Sequence, residues 1–190
     1  YITNFGIHTI FHLAAKTAVQ ESILEPELYN KSNVDVTLKL LEASRIAGVN
    51  KFVFSSSSSV YGDAEIPTTE HNEMFPLSPY ATTKLIGEEY CKLYSEIHGI
   101  KICILRYFNV YGNRMNNEGG YKLVLPIFKE LKEKGKKLTI NNDGNQRRDF
   151  VHVDDICDMN ILCAQYDFPY KFRTFNVGTG ISYSVNEIAD

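Results

Sequence analysis

The chain has no tryptophan, three methionines, four cysteines and six prolines in 190 residues, and neither sign of charge prevails: 20 Lys+Arg stand against 23 Asp+Glu, a net −3. Each scarcity excludes something. Near-neutral charge supplies no bulk attraction to nucleic acid or to an anionic membrane, so neither is expected as a partner. The cysteines, Cys91, Cys103, Cys157 and Cys163, show no CxxC spacing and sit inside apolar segments. They read as buried thiols of a reducing compartment, and a disulfide framework or a metal site is not expected. No apolar run reaches the roughly 18 to 20 residues of a membrane span, and no basic-then-apolar signal opens the chain. A soluble, cytoplasmic protein is the expectation. Twelve glycines and six prolines are ordinary usage, which removes collagen-like and linker-like readings, while 44% hydrophobic residues suffice for the core of one domain.

What is present is an alternation. HTIFHL (8–13) and KFVF (51–54) are short, β-branched or aromatic runs that suit buried parallel strands. Between them Val36, Leu40, Ala43 and Ala47 recur at helical spacing, with Gly48 to end the helix. After a polar loop carrying Pro67, Pro76 and Pro79, a long helix is predicted over 79–98, its apolar stripe Ile86, Tyr90, Leu93 and Ile97, its stop Gly99. A strand at 101–108, a helix near 122–134, a strand at 137–140, a helix from about Asp154, a strand at 173–177 and a last helix beginning at Ser184 follow. Alternating strands and helices point to an α/β fold with a parallel sheet. Asp154 and Asp155 read as an N-cap, His152 as structural, and the lysine-rich 129–137 as a solvated helix end.

Two local features carry chemistry. Five consecutive serines, 55–59, lie between FVF and VYG without glycine or proline, so they read as a strand end presenting hydroxyls rather than as a linker. Ligands of open α/β sheets bind at that end of the strands. About 20 residues later comes YATTK, where Tyr80 and Lys84 stand four apart and leave one helix face a turn apart. A phenol with a pKa near 10 is a poor base at pH 7, but a cation within a few Å favours the phenolate; a fall of about three pH units is worth roughly 4 kcal/mol. YxxxK alone is a weak pattern. With a strand-end hydroxyl facing it, it becomes a Ser–Tyr–Lys trio.

Seven segments in register, HLAA (12–15), NV with LLEA (33–34, 40–43), FSSSSSVYG (54–62), SPYATTK (78–84), LRYFNVYG (105–112), RRDFVHVDD (147–155) and FNVGTG (175–180), resemble the extended short-chain dehydrogenase/reductases, and within them the nucleotide-sugar 4-epimerases of the UDP-glucose 4-epimerase type. The resemblance implies a Rossmann-type doubly wound parallel sheet that binds NAD, its first βαβ unit outside this chain, with part of a smaller C-terminal substrate domain. Residues 1–110 would be the C-terminal part of the NAD domain. Residues 111–190 would mix substrate-domain segments with a returning Rossmann strand. Carried over residue by residue, it implies Tyr80 as the base, Lys84 as the cation that holds the nicotinamide ribose and lowers the phenol's pKa, and Ser57 as the hydroxyl bridging phenol and sugar, with Ser59 as a second hydroxyl. Ala14, Ala15, Asn33, Ser55, Tyr107 and Phe108 would meet the cofactor. Asn109 and Arg148 would meet the sugar diphosphate, Thr139 and Asn141 would face the base, and a homodimer would form through the helix of Tyr80 and the helix before the serine strand.

The pattern also departs from the family. A GxxGxxG turn, which cradles a pyrophosphate at a helix N-terminus, is absent, so the chain is expected to be a central fragment with weak NAD binding and little turnover of its own. Val36 stands where the family carries glycine, and Lys16 lies one place before a family lysine. The implied reaction is 4-epimerisation of a UDP-sugar through a transient 4-keto sugar. The nearest rival, a 4,6-dehydratase or decarboxylase, needs a carboxylate before VYG, where this chain has Ser58 and Ser59. A noncatalytic NAD- or nucleotide-sugar-binding module is the alternative of another class.

Overall fold

The computed structural model describes residues 5–115, 124–140, 142–167 and 169–189. Its main sheet has four parallel strands in the order β1 (Thr9–His12), β2 (Lys51–Ser57), β3 (Lys101–Tyr107) and β6 (Phe172–Val177). The central pair runs in register from Lys51 beside Lys101 to Ser57 beside Tyr107. Because successive side chains of a strand face opposite ways, β2 and β3 feed two cores. Phe52, Phe54, Ile102 and Ile104 pack with Leu41 of α3 (Val36–Ala47) and Cys91 of α4 (Pro79–His98). Val53, Cys103 and Leu105 pack on the other face with Ile156 and Cys163 of α6 (Val153–Gln165). Helices therefore cover both faces, the Rossmann-type doubly wound arrangement.

The remaining elements are small. α1 (Val19–Leu24) and α2 (Pro26–Tyr29) follow β1, and a π-helical turn over Asn30–Asp35 leads into α3. A 3₁₀ turn over Ser58–Tyr61 closes β2. β4 (Asn109–Tyr111) leaves the end of β3 and pairs in parallel with β5 (Arg147–His152), which pairs antiparallel with β7 (Ser182–Ser184). α5 (Val124–Glu133) and α7 (Val185–Ala189) complete the described chain.

Most predicted elements are found, and the differences have physical reasons. The strand predicted at 137–140 is absent: those residues are irregular, and Thr139 is exposed. Of the helix predicted near 122–134, residues 122 and 123 lie outside the described residues, as does Asn141. The apolar stripe assigned to α4 is only partly its core face: Tyr90 packs against the core and Ile86 is half-buried. Leu93 and Ile97 are 50% and 64% exposed, while Lys84, Glu88, Cys91 and Ser95, at the same steps of four, three and four, are buried. The buried polar groups have internal partners, so burial does not track hydrophobicity here. In α3 Leu40 packs against the core as expected, but Val36 is exposed, and Thr37, Leu41 and Ser44 are buried. Gly48 and Gly99 end their helices in the left-handed conformation, as expected. The cap of α6 is His152, whose Nδ1 accepts from the backbone N–H of Asp154 at 3.3 Å; Asp154 and Asp155 sit in the first turn instead. That agrees with a structural His152, whose ring also meets Tyr111 edge-on.

Gly62, which ends the 3₁₀ turn, has φ of 61° and ψ of −126°, and a Cβ there would fall 2.1 Å from the carbonyl oxygen of Phe75. Both the backbone angle and the contact exclude a side chain. Gly62→Ala is expected to cost about 2 to 4 kcal/mol, read as a lower urea midpoint with an unchanged slope.

Candidate active site

The long helix begins where the sequence predicts: Ser78 Oγ accepts from the N–H of Ala81 at 3.1 Å, and Pro79 occupies the first helical position. That start places Tyr80 in the first turn and Lys84 one turn on, both buried. Lys84 points at the serine strand, its Nζ donating to the carbonyl of Ser55 at 2.7 Å and lying 5.3 Å from the ring centre of Phe54. Burial pushes the Lys84 pKa down from 10.5 to about 8, so at pH 7 the ammonium persists. An ammonium held in a dry, low-dielectric site acts strongly on a neighbouring phenol.

The serine run divides by position. Ser55 Oγ lies 3.1 Å from the hydroxyl of Tyr107, which also accepts from Asn160 Nδ2 at 2.7 Å. Ser56 points to the opposite face and donates to Glu88 Oε1 at 2.5 Å. Ser57 is half-buried at the strand end, and its Oγ accepts from the backbone N–H of Ser59 at 3.2 Å and from the hydroxyl of Ser59 at 2.9 Å. With both lone pairs taken, the remaining function of Ser57 is to donate its own proton. Ser59 thus acts on Ser57.

Three tyrosines surround this place, and their environments differ. Burial, together with a 2.7 Å hydrogen bond to Glu21, raises Tyr29 to about 12. Burial also raises Tyr107. Both remain protonated phenols at neutral pH. Tyr80 is the one that shares a helix face with Lys84.

At the carboxyl end of β1, Ala14 is exposed and Ala15 half-buried, so no side chain blocks approach to the backbone there. Asn33, in the π-helical turn, spends its amide on that loop: Oδ1 accepts from the N–H of Lys16 at 2.8 Å, and Nδ2 donates to the carbonyl of Lys16 at 2.9 Å and to Thr83 Oγ1 at 3.0 Å. Thr83 in turn donates to the carbonyl of Tyr80 at 2.8 Å. One asparagine therefore fastens the loop after β1 to the first turn of α4. The small residues Ala14 and Ala15, with the ammonium of Lys84 and the paired hydroxyls of Ser55 and Tyr107, leave open backbone and polar groups that a dinucleotide could meet. Lys16 itself pairs with Glu21 at 3.0 Å.

Beneath the loop, His12 Nε2 lies 2.8 Å from Thr37 Oγ1, whose proton goes to the carbonyl of Asn33 at 2.6 Å. His12 is therefore the donor, a neutral Nε2–H tautomer. Burial, and secondarily the charge of Lys84, lowers its pKa from 6.5 to about 4. A base depressed in the fold contributes stability that is complete above pH 6.5 and is lost as the pH falls toward 4. The native protein is expected to lose about 2 kcal/mol more than a His12→Gln variant across that window, measured by urea unfolding at both ends.

On the other side, the N–H of Phe108 donates to the carbonyl of Val177 at 3.1 Å, and Asn109 Nδ2 donates to the carbonyl of Asp149 at 2.9 Å. The Asp149 carboxylate receives the N–H groups of Thr179 and Gly180 at 2.9 and 2.8 Å, which fixes the loop after β6. Arg147 pairs with Glu187 at 3.0 Å. Arg148 is exposed and forms no ion pair among the described residues; its Nη1 donates to the carbonyl of Arg147. Sequence reasoning did not find Asn160, Thr83, Glu88 or Arg106, whose partners lie on other elements. A cavity of about 450 Å³ between α5 and the ends of β4 and β5, with Arg114, Lys129 and His152 in its wall, was equally hidden.

A doubly wound parallel sheet, with a buried helix lysine on the carbonyl of a serine-rich strand at its carboxyl edge, has the architecture of a dinucleotide-binding class of protein. Residues 1–178 match the NAD dependent epimerase/dehydratase family, and the chain belongs to that family. It is 37% identical over 189 residues to a UDP-glucose 4-epimerase of Mycolicibacterium smegmatis, covering 98% of this chain and 59% of that protein, and 34% identical over 189 residues to a UDP-glucuronate 4-epimerase of Thermodesulfobacterium geofontis, covering 98% and 56%. Among solved structures, a UDP-N-acetylglucosamine 4-epimerase from Methanobrevibacter ruminantium in complex with UDP-N-acetylmuramic acid superposes with a TM-score of 0.92 at 38% identity, covering 98% of this chain and 60% of that one. A UDP-glucose 4-epimerase from Thermotoga maritima with UDP-glucose gives 0.89 at 38% identity, covering 95% and 58%. The chain thus spans about three fifths of the length of these relatives.

Proposed function

We propose that the protein containing this chain is an NAD-dependent 4-epimerase of UDP-sugars, with Tyr80 as its base. The observation that carries this reading is the buried ammonium of Lys84, fixed on the Ser55 carbonyl one helical turn from Tyr80. Residues 1–110 would hold the cofactor through Ala14, Ala15, Ser55, Lys84, Tyr107 and Phe108, with Asn33 bracing the loop. Residues 111–190, apart from β6, would hold the sugar nucleotide. When bound, the nicotinamide supplies an acceptor that takes hydride from carbon 4 of the sugar and later returns it.

The chain's own residues manage the proton. Lys84 lowers the cost of the Tyr80 phenolate, which takes the proton of the 4-hydroxyl as the carbonyl forms. Ser57, whose oxygen is occupied by Ser59, donates to the sugar oxygen and shares the charge. After the keto sugar turns over in the pocket, Tyr80 gives the proton back, so neither proton nor electron is gained overall. Arg148, free of carboxylate partners among the described residues, would meet the diphosphate with its planar fork. The 3₁₀ turn after Ser57 carries hydroxyls and no carboxylate, which favours epimerisation over dehydration. Exposed Val36, Ile46, Leu93 and Ile97 on α3 and α4 supply an apolar face for a homodimer. No described helix is long and apolar enough to cross a membrane, and the free cysteines suit the cytoplasm.

The test is a product analysis: the full-length protein with NAD and a panel of UDP-sugars, followed by chromatography and mass measurement. An isobaric product at a new retention time is expected. Loss of one water would make the protein a dehydratase, and no product from any sugar would favour a binding module.

A further inference from the structure

The least exposed polar cluster of the described chain is not part of the proposed chemistry. Arg106 and Glu88 are 2% and 0% exposed. Arg106 Nε and Nη2 grip Glu88 Oε1 and Oε2 at 2.9 and 2.7 Å. The remaining hydrogens of the fork go to the Tyr61 hydroxyl at 2.6 Å, Met74 Sδ at 2.8 Å and the Glu70 carbonyl at 3.4 Å. Tyr61 passes its own proton to Asn176 Oδ1 of β6 at 2.6 Å, and the Asn176 N–H donates to Glu70 Oε1 at 2.7 Å.

A buried ion pair is by itself weak grounds for stability. Removing two charges from water costs several kcal/mol each, and well-packed apolar replacements of buried pairs are often neutral or stabilising. Its position points to another role. Glu88 lies one turn beyond Lys84 on the buried face of α4. Arg106 stands in register beside Ser56, which lies between Ser55, the acceptor of Lys84, and Ser57. Ser56 is itself tied to Glu88 at 2.5 Å. The outer bonds of Arg106 hold the segment 62–78 that delivers the chain to the Ser78 cap.

We infer that the Glu88–Arg106 pair is a positioning clamp: it sets the rotation and height of α4 against β2, and so places Tyr80 and Lys84 opposite Ser57. The inference rests on the catalytic reading of Tyr80 and Lys84. Directional, charge-assisted bonds fix geometry more narrowly than apolar contact does, and a misplacement of about 1 Å costs about 10²-fold in rate.

The test uses the full-length protein and three variants: Glu88→Gln, Arg106→Lys, and the apolar pair Glu88→Leu with Arg106→Met. Four quantities are read: kcat, KM, the thermal midpoint, and the rate at which an amine-reactive reagent labels Lys84, followed by peptide mass spectrometry. The clamp predicts that Glu88→Gln lowers kcat about 10- to 100-fold with KM within about threefold, and speeds Lys84 labelling about tenfold. Arg106→Lys, which keeps the charge but loses the fork, behaves likewise. The apolar pair recovers the native thermal midpoint without recovering kcat or Lys84 protection. Native kcat in either single variant, or kcat and protection returning together in the apolar pair, overturns the clamp. Should the single variants fail to fold, the apolar pair decides alone. A wild type that turns over no UDP-sugar counts against the proposed function, and Lys84 labelling then still decides the clamp.

Discussion

Tyr80→Phe in the full-length protein is expected to lower epimerase turnover by about 10³-fold or more, while the UDP-sugar dissociation constant stays within a few-fold. The substitution removes one oxygen, the atom assigned to take and return the proton of the 4-hydroxyl. It leaves the ring, which is buried in the first turn of α4, and the backbone carbonyl that accepts from Thr83. Loss of kcat without loss of binding is the signature of an interaction made at the transition state alone. Burial raises the pKa of both Tyr29 and Tyr107, and Tyr29 also donates to Glu21, so both stay protonated phenols at neutral pH. Steady-state kinetics and calorimetry with a UDP-sugar separate the two quantities. A variant retaining a tenth of native turnover would remove Tyr80 from the mechanism.

The second large effect belongs to Lys84. Lys84→Met is expected to reduce turnover about 10²- to 10³-fold, because the proposed Tyr80 phenolate loses the buried cation one helical turn away. The same variant reports on stability with a defined sign. Burial lowers the Lys84 pKa to about 8, so the folded state resists the charged form. The cost of burying that charge is complete below pH 8 and is relieved as the pH rises toward 10.5, the ordinary lysine value. Relative to Lys84→Met, the cofactor-free native protein should therefore gain about 3 kcal/mol between those limits, by urea unfolding. A flat difference would mean that Lys84 is solvated in the fold. Keeping this ammonium dry thus works against the stability of the fold.

The sequence shows some of this plainly and hides the rest for identifiable reasons. Tyr80 and Lys84 are legible because a helix brings residues four apart onto one face, and KFVF and KICILRYF are legible because a strand buried on both sides must be apolar throughout. Gly48 and Gly99 mark helix ends by their left-handed backbone. The core face of α4 is hidden. It carries Lys84 and Glu88, which sequence logic sends to solvent, and their partners Ser55 and Arg106 lie 29 and 18 residues away on neighbouring strands. Apolar periodicity also marks Leu93 and Ile97, which are exposed. Asn33 resembles a cofactor residue, yet its amide reaches back 17 residues to grip Lys16. Such long-range polar pairings leave no periodic trace. The His152 cap is not legible because a ring nitrogen seldom fills that role, and the irregular 137–140 is not, because a short β-branched run has the composition of a strand even where no neighbour pairs with it.

The most direct test of the account is the fate of hydrogen at carbon 4. The full-length protein is given a UDP-sugar carrying deuterium at that carbon, in ordinary water, and the product is read by mass and nuclear magnetic resonance. The expected product is an epimer that keeps its deuterium at carbon 4, because in the proposed reaction the hydrogen leaves and returns inside one closed site while Tyr80 handles only the hydroxyl proton. Deuterium replaced by solvent hydrogen in the epimer would mean direct proton abstraction from carbon, and would contradict it.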